Sequence, residues 1–441
     1  MYIHVMLAVL ASLTVSSRAL PRATRPGAAV QIQGAAGLAT ADSIVSAWVE
    51  AERVPGAVLL VIEDGTTVLE RAYGWAQLYE YGDGQYGTGM IGAGAGNAEA
   101  NEGRRVTGIR RLAEPRPMNI ETVFDLASLT KVMATTLAVM DLVGREELDV
   151  DAPVQRYLPD FHGDGKGRIT LRHLLTHRSG LPQWLPVYYH ASDAEAAYAY
   201  IRDVPLRWGV GAGRHYSDLG FMMLGRVVER VSGQSLNGVL AARFYRPLGL
   251  AATGFRPSRP TAPSGAPDFA ATSHGNPYEW RMVHDSTFGY RIEGDPDAWN
   301  GWRRYTLVGE VNDGNAYYAF GGVAGHAGLF STARELGVLL QLLLDRGVSG
   351  ERRYLASEVV DEFLESVGDG QALGWRVPDY APAGSFFHTG FTGTFILGVP
   401  ARRLGVVLLT NRQNVGIDER GYYPDVGPLQ RAVALALIEA P

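Results

Sequence analysis

Cysteine is absent from the 441-residue chain, and lysine occurs only twice, as Lys131 and Lys166. Without cysteine the chain can form neither a disulfide nor a thiol-linked lipid anchor, so a packed core must stabilise it. No run of lysine or arginine is present and the formal net charge is only −6, which argues against nucleic acid as a partner. Arginine keeps its proton inside a protein, whereas a desolvated lysine can lose it. Lys131 is therefore a candidate for proton chemistry.

The chain begins with a hydrophobic run. Residues 1–19, MYIHVMLAVLASLTVSSRA, hold about a dozen apolar residues followed by small ones, which is typical of a secretory signal peptide cleaved near Ala19. This run is too short to span a bilayer, so no integral membrane segment is expected in the mature chain. The alternative is a buried N-terminal helix. We expect an exported protein, periplasmic or extracellular, with a Pro/Ala/Gly-rich linker over residues 20–40.

Strand patterns lie near both ends of the chain, and helical patterns lie between them. VPGAVLLVIEDG and TTVLERAYGWA predict a β-hairpin over about 55–76, with Asp64 and Gly65 in its turn. SFFHTG, TFILGVP and RLGVVLLTN predict three more strands over about 384–411. We therefore predict an α+β fold in a single domain over residues 41–441. Its antiparallel β-sheet is flanked by helices, and a large all-helical insertion occupies about 120–350.

Helical spacing of apolar residues locates the helices more closely. The predicted helices are 41–52, with Asp42 or Ser43 as its cap, 129–143, 171–177, 218–231, 236–243, 333–345 and 432–440.

Residues 77–118 are rich in glycine and polar side chains. Gly87, Gly89 and Gly92 match a GxGxxG pattern, but a dinucleotide site needs a strand before the pattern and an apolar helix behind it. The sequence NAEANEGRR follows instead, and it cannot pack as an amphipathic helix. We interpret 77–118 as a flexible surface insertion and expect no cofactor there.

A serine three residues before the lysine gives the first chemical motif. Ser128 lies where the extended pattern TVFDLAS meets the helical pattern LTKVMATTLAVM, so the Lys131 amine is expected beside the Ser128 hydroxyl on one helix face. A weak nucleophile needs such a neighbour to take its proton. The helix N-terminus adds backbone N–H groups that can receive an oxyanion.

Two later segments extend this motif. In HYSDLGFMMLG, Tyr216 and Asp218 stand two residues apart just before a helix, so an extended backbone turns both side chains the same way. In FFHTGFTGT, His388 and Thr389 lie on a terminal strand, and Gly390 lets another backbone or a substrate come close.

The ordered set SLTK, YSD and HTG resembles the three motifs of the serine β-lactamase and penicillin-binding-protein superfamily. It is most similar to the class C branch with its esterase and D-alanyl-D-alanine carboxypeptidase relatives. LLTHRSGLP, PLGL and GVAGHAGLFST also resemble passages of that branch. The resemblance spans about residues 42–438 and implies an antiparallel sheet with a helical region.

The resemblance also implies a role for each matching residue. Ser128 would be the acylated nucleophile, Lys131 the amine that helps to deprotonate it, and Tyr216 the proton shuttle between Ser128, the leaving group and water. Asp218 stands where the family has asparagine and could hold Lys131 protonated, so either Lys131 or Tyr216 could be the resting base.

The third motif would line the substrate edge. The resemblance places Thr389 and Gly390 along the substrate, and the backbone N–H groups of Ser128 and Phe391 in the oxyanion hole. His388 departs from the lysine that is frequent at this position, and histidine near its usual pKa of about 6.5 is mostly neutral at pH 7. We therefore expect weaker selection for carboxylate-bearing substrates and more tolerance of simple esters.

Other constellations fit less well. His173 and His177 are four apart, but Leu174 occupies the place where a metalloprotease helix needs glutamate, so we expect a structural role and no metal. His326, in a glycine-flanked loop, could be structural or could face the substrate. No GxSxG occurs, which removes the usual nucleophile elbow of α/β-hydrolases.

These patterns favour a serine hydrolase that works through an acyl-serine intermediate on an ester, a D-amino-acid peptide or a β-lactam. Its expected partner is a small-molecule or cell-wall peptide substrate, and no cofactor is needed. The alternative is a penicillin-binding or peptidoglycan-binding sensor of the same fold that does not turn over. A pure binder has no need of an activated serine, which argues against the sensor.

Overall fold

The computed structural model describes residues 35–82, 109–255, 268–288, 290, 294–418 and 420–439. The strands in these residues are β1 Gly56–Glu63, β2 Thr66–Tyr81, β3 Ile109–Pro117, β4 Phe124–Asp125, β5 Gly254–Phe255, β6 Ala271–His274, β7 Thr306–Val308, β8 Leu329–Ser331, β9 Val348–Ser349, β10 Arg352–Arg353, β11 Phe386–Thr389, β12 Thr394–Val399 and β13 Leu404–Thr410. Six of them form the central sheet, in the order β11-β12-β13-β1-β2-β3. The two ends of the chain therefore meet in this sheet, as predicted.

The predicted hairpin of β1 and β2 is present. Its turn residues Asp64 and Gly65 both have positive φ, 49° and 75°, which is the backbone that a tight two-residue hairpin turn requires. β1 pairs antiparallel with β2 on one side and with β13 on the other. The first strand of the chain therefore lies beside the last one in the middle of the sheet.

Both faces of this sheet are covered. Along β1, Leu59 and Val61 pack towards one side, while Leu60 and Ile62 pack towards the other. Alternate residues of a strand point to opposite faces, so a strand that is buried on both faces consists almost entirely of apolar residues. This explains the unbroken apolar run GAVLLVI.

The helices are α1 Ala35–Glu50, α2 Leu137–Gly144, α3 Leu171–Leu175, α4 Ala194–Asp203, α5 Asp218–Ser232, α6 Leu236–Leu240, α7 Pro277–His284, α8 Ala333–Leu344, α9 Ser357–Leu364 and α10 Gly427–Ile438. The terminal helices α1 and α10 pack on each other and cover one face of the sheet, and α8 lies on the opposite face. The other helices pack around the same, larger core as α8.

Two predicted helices differ in form. The predicted helix over 236–243 divides into α6 and the π-helical turn Ala241–Tyr245. The sequence predicted a single helix over 129–143, but Lys131–Thr136 has the wider π-helical turn and α2 follows it. Single π-helical turns inside helices occur frequently at functional sites. All six side chains of this turn, including Lys131, are buried.

The prediction of a surface insertion over 77–118 is wrong at both of its ends. β2 continues to Tyr81, and β3, Ile109–Pro117, pairs antiparallel with it as the edge strand of the sheet. Arg110 and Glu80 form an ion pair across the two strands at 2.8 Å. The flanks can form strands because they carry large side chains, and the glycine-rich part lies within 83–108, outside the described residues together with Gly87, Gly89 and Gly92.

The predicted linker over 20–40 is also too long, because α1 begins at Ala35. Asp42 and Ser43 lie inside this helix and do not cap it; Asp42 instead pairs with Arg71 at 2.6 Å. The expected signal peptide, residues 1–19, lies outside the described residues. Among the described helices, none has the length and apolar character that crossing a membrane would require.

Candidate active site

Ser128 sits on a tight turn between a strand and a helix. It follows β4 and Ala127, whose φ of 45° lies in the left-handed region that residues other than glycine rarely adopt. The Ala127 N–H donates to Asp125 Oδ1 at 2.8 Å, and the Asn312 N–H donates to Asp125 Oδ2 at 2.6 Å. Strained backbone of this kind persists only where its surroundings hold it. The buried Asp125 therefore fixes the backbone that presents Ser128.

Lys131 is completely buried and contacts three oxygen atoms. Its Nζ lies 3.0 Å from Ser128 Oγ, 2.7 Å from Asp218 Oδ1 and 3.1 Å from the His326 carbonyl oxygen. Burial alone would lower the pKa of Lys131, but the charge of Asp218 and the neighbouring Tyr216 outweigh it, and the pKa is raised above its ordinary value. Lys131 is therefore an ammonium group at neutral pH.

Tyr216 completes this cluster. It precedes Ser217, the N-cap residue of α5, and its ring centroid is 5.1 Å from Lys131 Nζ. Asp218 is the first residue of α5, where the positive end of the helix dipole favours a carboxylate. Ser217 caps the helix, since its Oγ accepts the Gly220 N–H at 3.2 Å. The cap thus holds the segment that brings Tyr216 and Asp218 to Lys131.

The end of β11 is joined to the turn that carries Ser128. A Cβ on Gly390 would lie 2.1 Å from Thr394 Oγ1 and 2.4 Å from the Leu126 carbonyl oxygen, so only glycine fits. The Thr394 hydroxyl donates to the Leu126 oxygen at 3.1 Å. Among the described residues, neither the Ser128 N–H nor the Phe391 N–H donates a hydrogen bond. Both amides are therefore available to a ligand beside Ser128.

His388 lies on β11 with its ring buried. Its Nδ1 donates to the Thr389 carbonyl oxygen at 2.9 Å, and its Nε2 has no hydrogen-bond partner among the described residues. Burial, and next the charge of Lys131, lowers the pKa of His388 to about 3. The ring is therefore uncharged at neutral pH. Thr389 is half-buried and the Phe391 side chain is 38% exposed, so both border the opening of the site.

A sequence profile of the family described as Beta-lactamase matches residues 41–423, which is most of the chain. The chain belongs to the β-lactamase family. It is 32% identical over 405 residues to the N-acetylmuramyl-L-alanine amidase of Bacillus subtilis (strain 168), across 84% of this chain and 80% of that protein. It is 30% identical over 400 residues to a proposed D-alanyl-D-alanine carboxypeptidase of Salmonella agona (strain SL483), across 84% of this chain and 82% of that protein.

A solved structure shares the fold of this chain. A class C β-lactamase from Rhodobacter sphaeroides superposes with a TM-score of 0.58 at 20% identity, over 91% of this chain and 98% of that one. This likeness confirms the predicted α+β fold. An amidase and a carboxypeptidase are both hydrolases, so this family member is a serine hydrolase in the broad sense.

The predicted site residues of this β-lactamase-family chain lie together. Ser128, Lys131, Tyr216 and Asp218 meet around one buried amine, and the segment from His388 to Phe391 forms the opposite wall through the close approach of Gly390 to Leu126. Tyr216 and His388 face each other across the site with their ring centroids 6.3 Å apart.

Of the two histidines in RHLLTH, His177 contacts the segment that carries Tyr216. His177 Nδ1 accepts the Ser217 N–H at 3.0 Å, and its ring lies 4.4 Å from the Tyr216 ring, so it positions the tyrosine segment. His173 instead hydrogen-bonds Thr170 at the start of α3. Within the described part of the chain no group of three or more His, Cys, Asp or Glu residues could hold a metal ion.

Sequence reasoning missed the partner of His326. The His326 ring is buried and its Nε2 lies 2.9 Å from Asp313 Oδ1, while its carbonyl oxygen accepts from Lys131. Gly325 must be glycine, because a Cβ there would lie 2.0 Å from the Phe221 carbonyl oxygen of α5. No sequence motif marks Asp313; only the folded chain brings it to the loop that holds the amine.

Proposed function

We propose that the chain is an exported serine hydrolase that acylates Ser128 with the carbonyl of a cell-wall peptide or muramyl amide. One observation carries the proposal: a single buried ammonium contacts the Ser128 hydroxyl and the Asp218 carboxylate and lies over the Tyr216 ring. The names of the Bacillus and Salmonella relatives support this substrate class, since both describe hydrolysis of cell-wall linkages. The apolar segment within residues 1–19 supports export.

The raised pKa of Lys131 bears on the choice of base. An ammonium group cannot accept the proton of Ser128, but it lowers the energy of negative charge on Ser128 Oγ. We therefore assign proton transfer to Tyr216: as Ser128 attacks the carbonyl, the Tyr216 hydroxyl oxygen accepts the Ser128 proton while its own proton passes to the leaving group, so the hydroxyl stays neutral. In deacylation the same hydroxyl would accept a proton from the attacking water while its own proton passes to Ser128 Oγ.

The tetrahedral intermediate would place its oxyanion between the Ser128 and Phe391 N–H groups. Both donors belong to backbone held by neighbouring contacts, so they need little rearrangement when charge develops, and donors of this kind lower the barrier substantially. Gly390 sets the distance between the Ser128 and Phe391 N–H groups, because it brings β11 against Leu126.

A labelling experiment tests the proposal. A fluorophosphonate should label the protein but not Ser128→Ala, and the labelled peptide should contain Ser128. The parent should release the acyl group of N-acetylmuramyl-L-alanine amides, D-alanyl peptides or p-nitrophenyl esters, with turnover lost by at least about a thousandfold in Ser128→Ala. Cephalosporins complete the panel. A parent that is acylated but releases nothing would show a sensor, and a Ser128→Ala variant with unchanged turnover would refute the mechanism.

A further inference from the structure

Arg214 faces the site from the segment that carries Tyr216. Ser217 has extended backbone angles, and the His215 ring stacks on Trp208 with centroids 3.7 Å apart and an interplanar angle of 3°. Arg214 stands two residues before Tyr216, and the two side chains are near enough to interact electrostatically. Arg214 is half-buried, so part of its side chain remains accessible.

A neutral side chain anchors this guanidinium. Arg214 Nε donates to Gln371 Oε1 at 2.8 Å. Gln371 is buried, and its Nε2 donates to the Trp375 carbonyl oxygen at 2.7 Å and to the Ala372 carbonyl oxygen at 2.9 Å. An amide fixes the orientation of the guanidinium but does not neutralise it. The fork of two Nη groups remains available for a planar anion.

Among the described residues, no carboxylate lies within ion-pair distance of Arg214, whereas the nearby Arg178 is paired with Asp369. Burial, and next the charge of Arg376, lowers the pKa of Arg214, although an arginine stays protonated in proteins. The positive charge of Arg214 also contributes to the lowered pKa values of His177 and His388. An oriented cation without an acidic partner thus stands beside the Ser128 pocket.

We propose that Arg214 binds a carboxylate of the substrate through its two Nη groups. This inference rests on the proposed function and deepens it, because it states which chemical group next to the scissile carbonyl is recognised. His388 supplies no charge at the end of β11, and Arg214 supplies it from the opposite wall. The sequence predicted weak selection for carboxylate-bearing substrates at the third motif. With Arg214 in place, the whole protein would still select such substrates, and the weak selection would be seen only after Arg214 is replaced.

Binding measurements on an acylation-deficient background test this directly. Calorimetry of Ser128→Ala would compare N-acetylmuramyl-L-alanine with its C-terminal amide, and N-acetyl-D-alanyl-D-alanine with its amide. We expect the acid of at least one pair to bind more tightly than its amide, and Arg214→Gln to weaken that acid roughly 10- to 100-fold while changing the amide less than about twofold. Arg214→Lys should restore part of the preference.

Arg376→Gln is the matched control. Arg376 also carries charge near His388, but it pairs with Phe387 across the strands and its guanidinium lies over the Phe387 ring at 4.9 Å, on the other face of the sheet. The control should keep the preference for the acid. Equal binding of acid and amide in both pairs, or a preference that survives Arg214→Gln, would overturn the inference. Failure of the proposed function would show separately, as absent turnover by the parent.

Discussion

Asp218→Asn tests the electrostatics on which the site depends. The substitution keeps the size and shape of the side chain but removes the charge 2.7 Å from the buried Lys131 ammonium. Coulomb's law with an effective dielectric constant of about 20 gives an attraction of about 6 kcal/mol at this separation. The asparagine oxygen retains part of this attraction. Removing one partner of a buried ion pair typically lowers the free energy of unfolding by about 3–5 kcal/mol.

The loss of folding stability in Asp218→Asn must be larger at neutral pH than near pH 10.5. In the parent the pKa of Lys131 is raised, so its stabilising contribution is complete below the ordinary value of 10.5 and is lost as pH rises through the folded-state value. In the variant, burial dominates and lowers the pKa of Lys131. The unfolded chain then holds a proton that the folded variant has released, so the variant is destabilised at neutral pH and recovers as pH approaches 10.5.

Chemical denaturation of parent and variant at pH 7 and pH 10 measures this difference. We expect Asp218→Asn to lose about 3–5 kcal/mol at pH 7 and clearly less at pH 10. Asp64→Asn is the control, because the Asp64 to Arg403 pair at 2.7 Å is exposed, and its loss should stay below about 1 kcal/mol at both pH values. A loss for Asp218→Asn that is the same at both pH values, or absent at pH 7, would refute the reasoning.

Two further predictions concern the opposite wall of the site. Gly390→Ala forces a Cβ against Thr394 and Leu126; it should lower stability by roughly 1–3 kcal/mol and slow fluorophosphonate labelling of Ser128, whereas Gly254→Ala, with open space around it, should change neither. His388→Gln tests the pKa of about 3: between pH 6.5 and 3 only the unfolded parent gains a proton there, so the parent loses stability as pH falls. Thermal melts at pH 7 and pH 4.5 should show a smaller drop for His388→Gln, and equal drops would contradict the buried neutral histidine.

The strands of the sheet could be predicted because their causes are local. Asp64 and Gly65 mark a tight turn between two apolar runs, and the runs before and after it carry strand-forming residues. The ends of the segment 77–118 could not be predicted in the same way. Whether WAQLYEY and IRRLAEPRP pair depends on a partner strand that lies beyond a glycine-rich stretch, and strand pairing is a non-local contact.

Much of the site also follows from spacing alone. Three residues along a helical turn bring Lys131 to Ser128, and two residues along an extended segment bring Tyr216 and Asp218 to one side. The resemblance of SLTK, YSD and HTG to a known set of motifs located the third wall. The first two inferences need only the geometry of a single secondary-structure element, whereas the third rests on the resemblance.

The charge of the buried groups could be assigned only from the folded structure. Whether Lys131 carries a proton depends on the burial that removes water and on the charge of Asp218, which reaches it through space from another helix. The support of His326 by Asp313 and of Arg214 by Gln371 likewise joins residues from separate loops. The order of residues determined which chemical groups this protein has and where they lie along each helix and strand. Tertiary packing decided which of them are charged, because electrostatic energy depends on distance and on the exclusion of water.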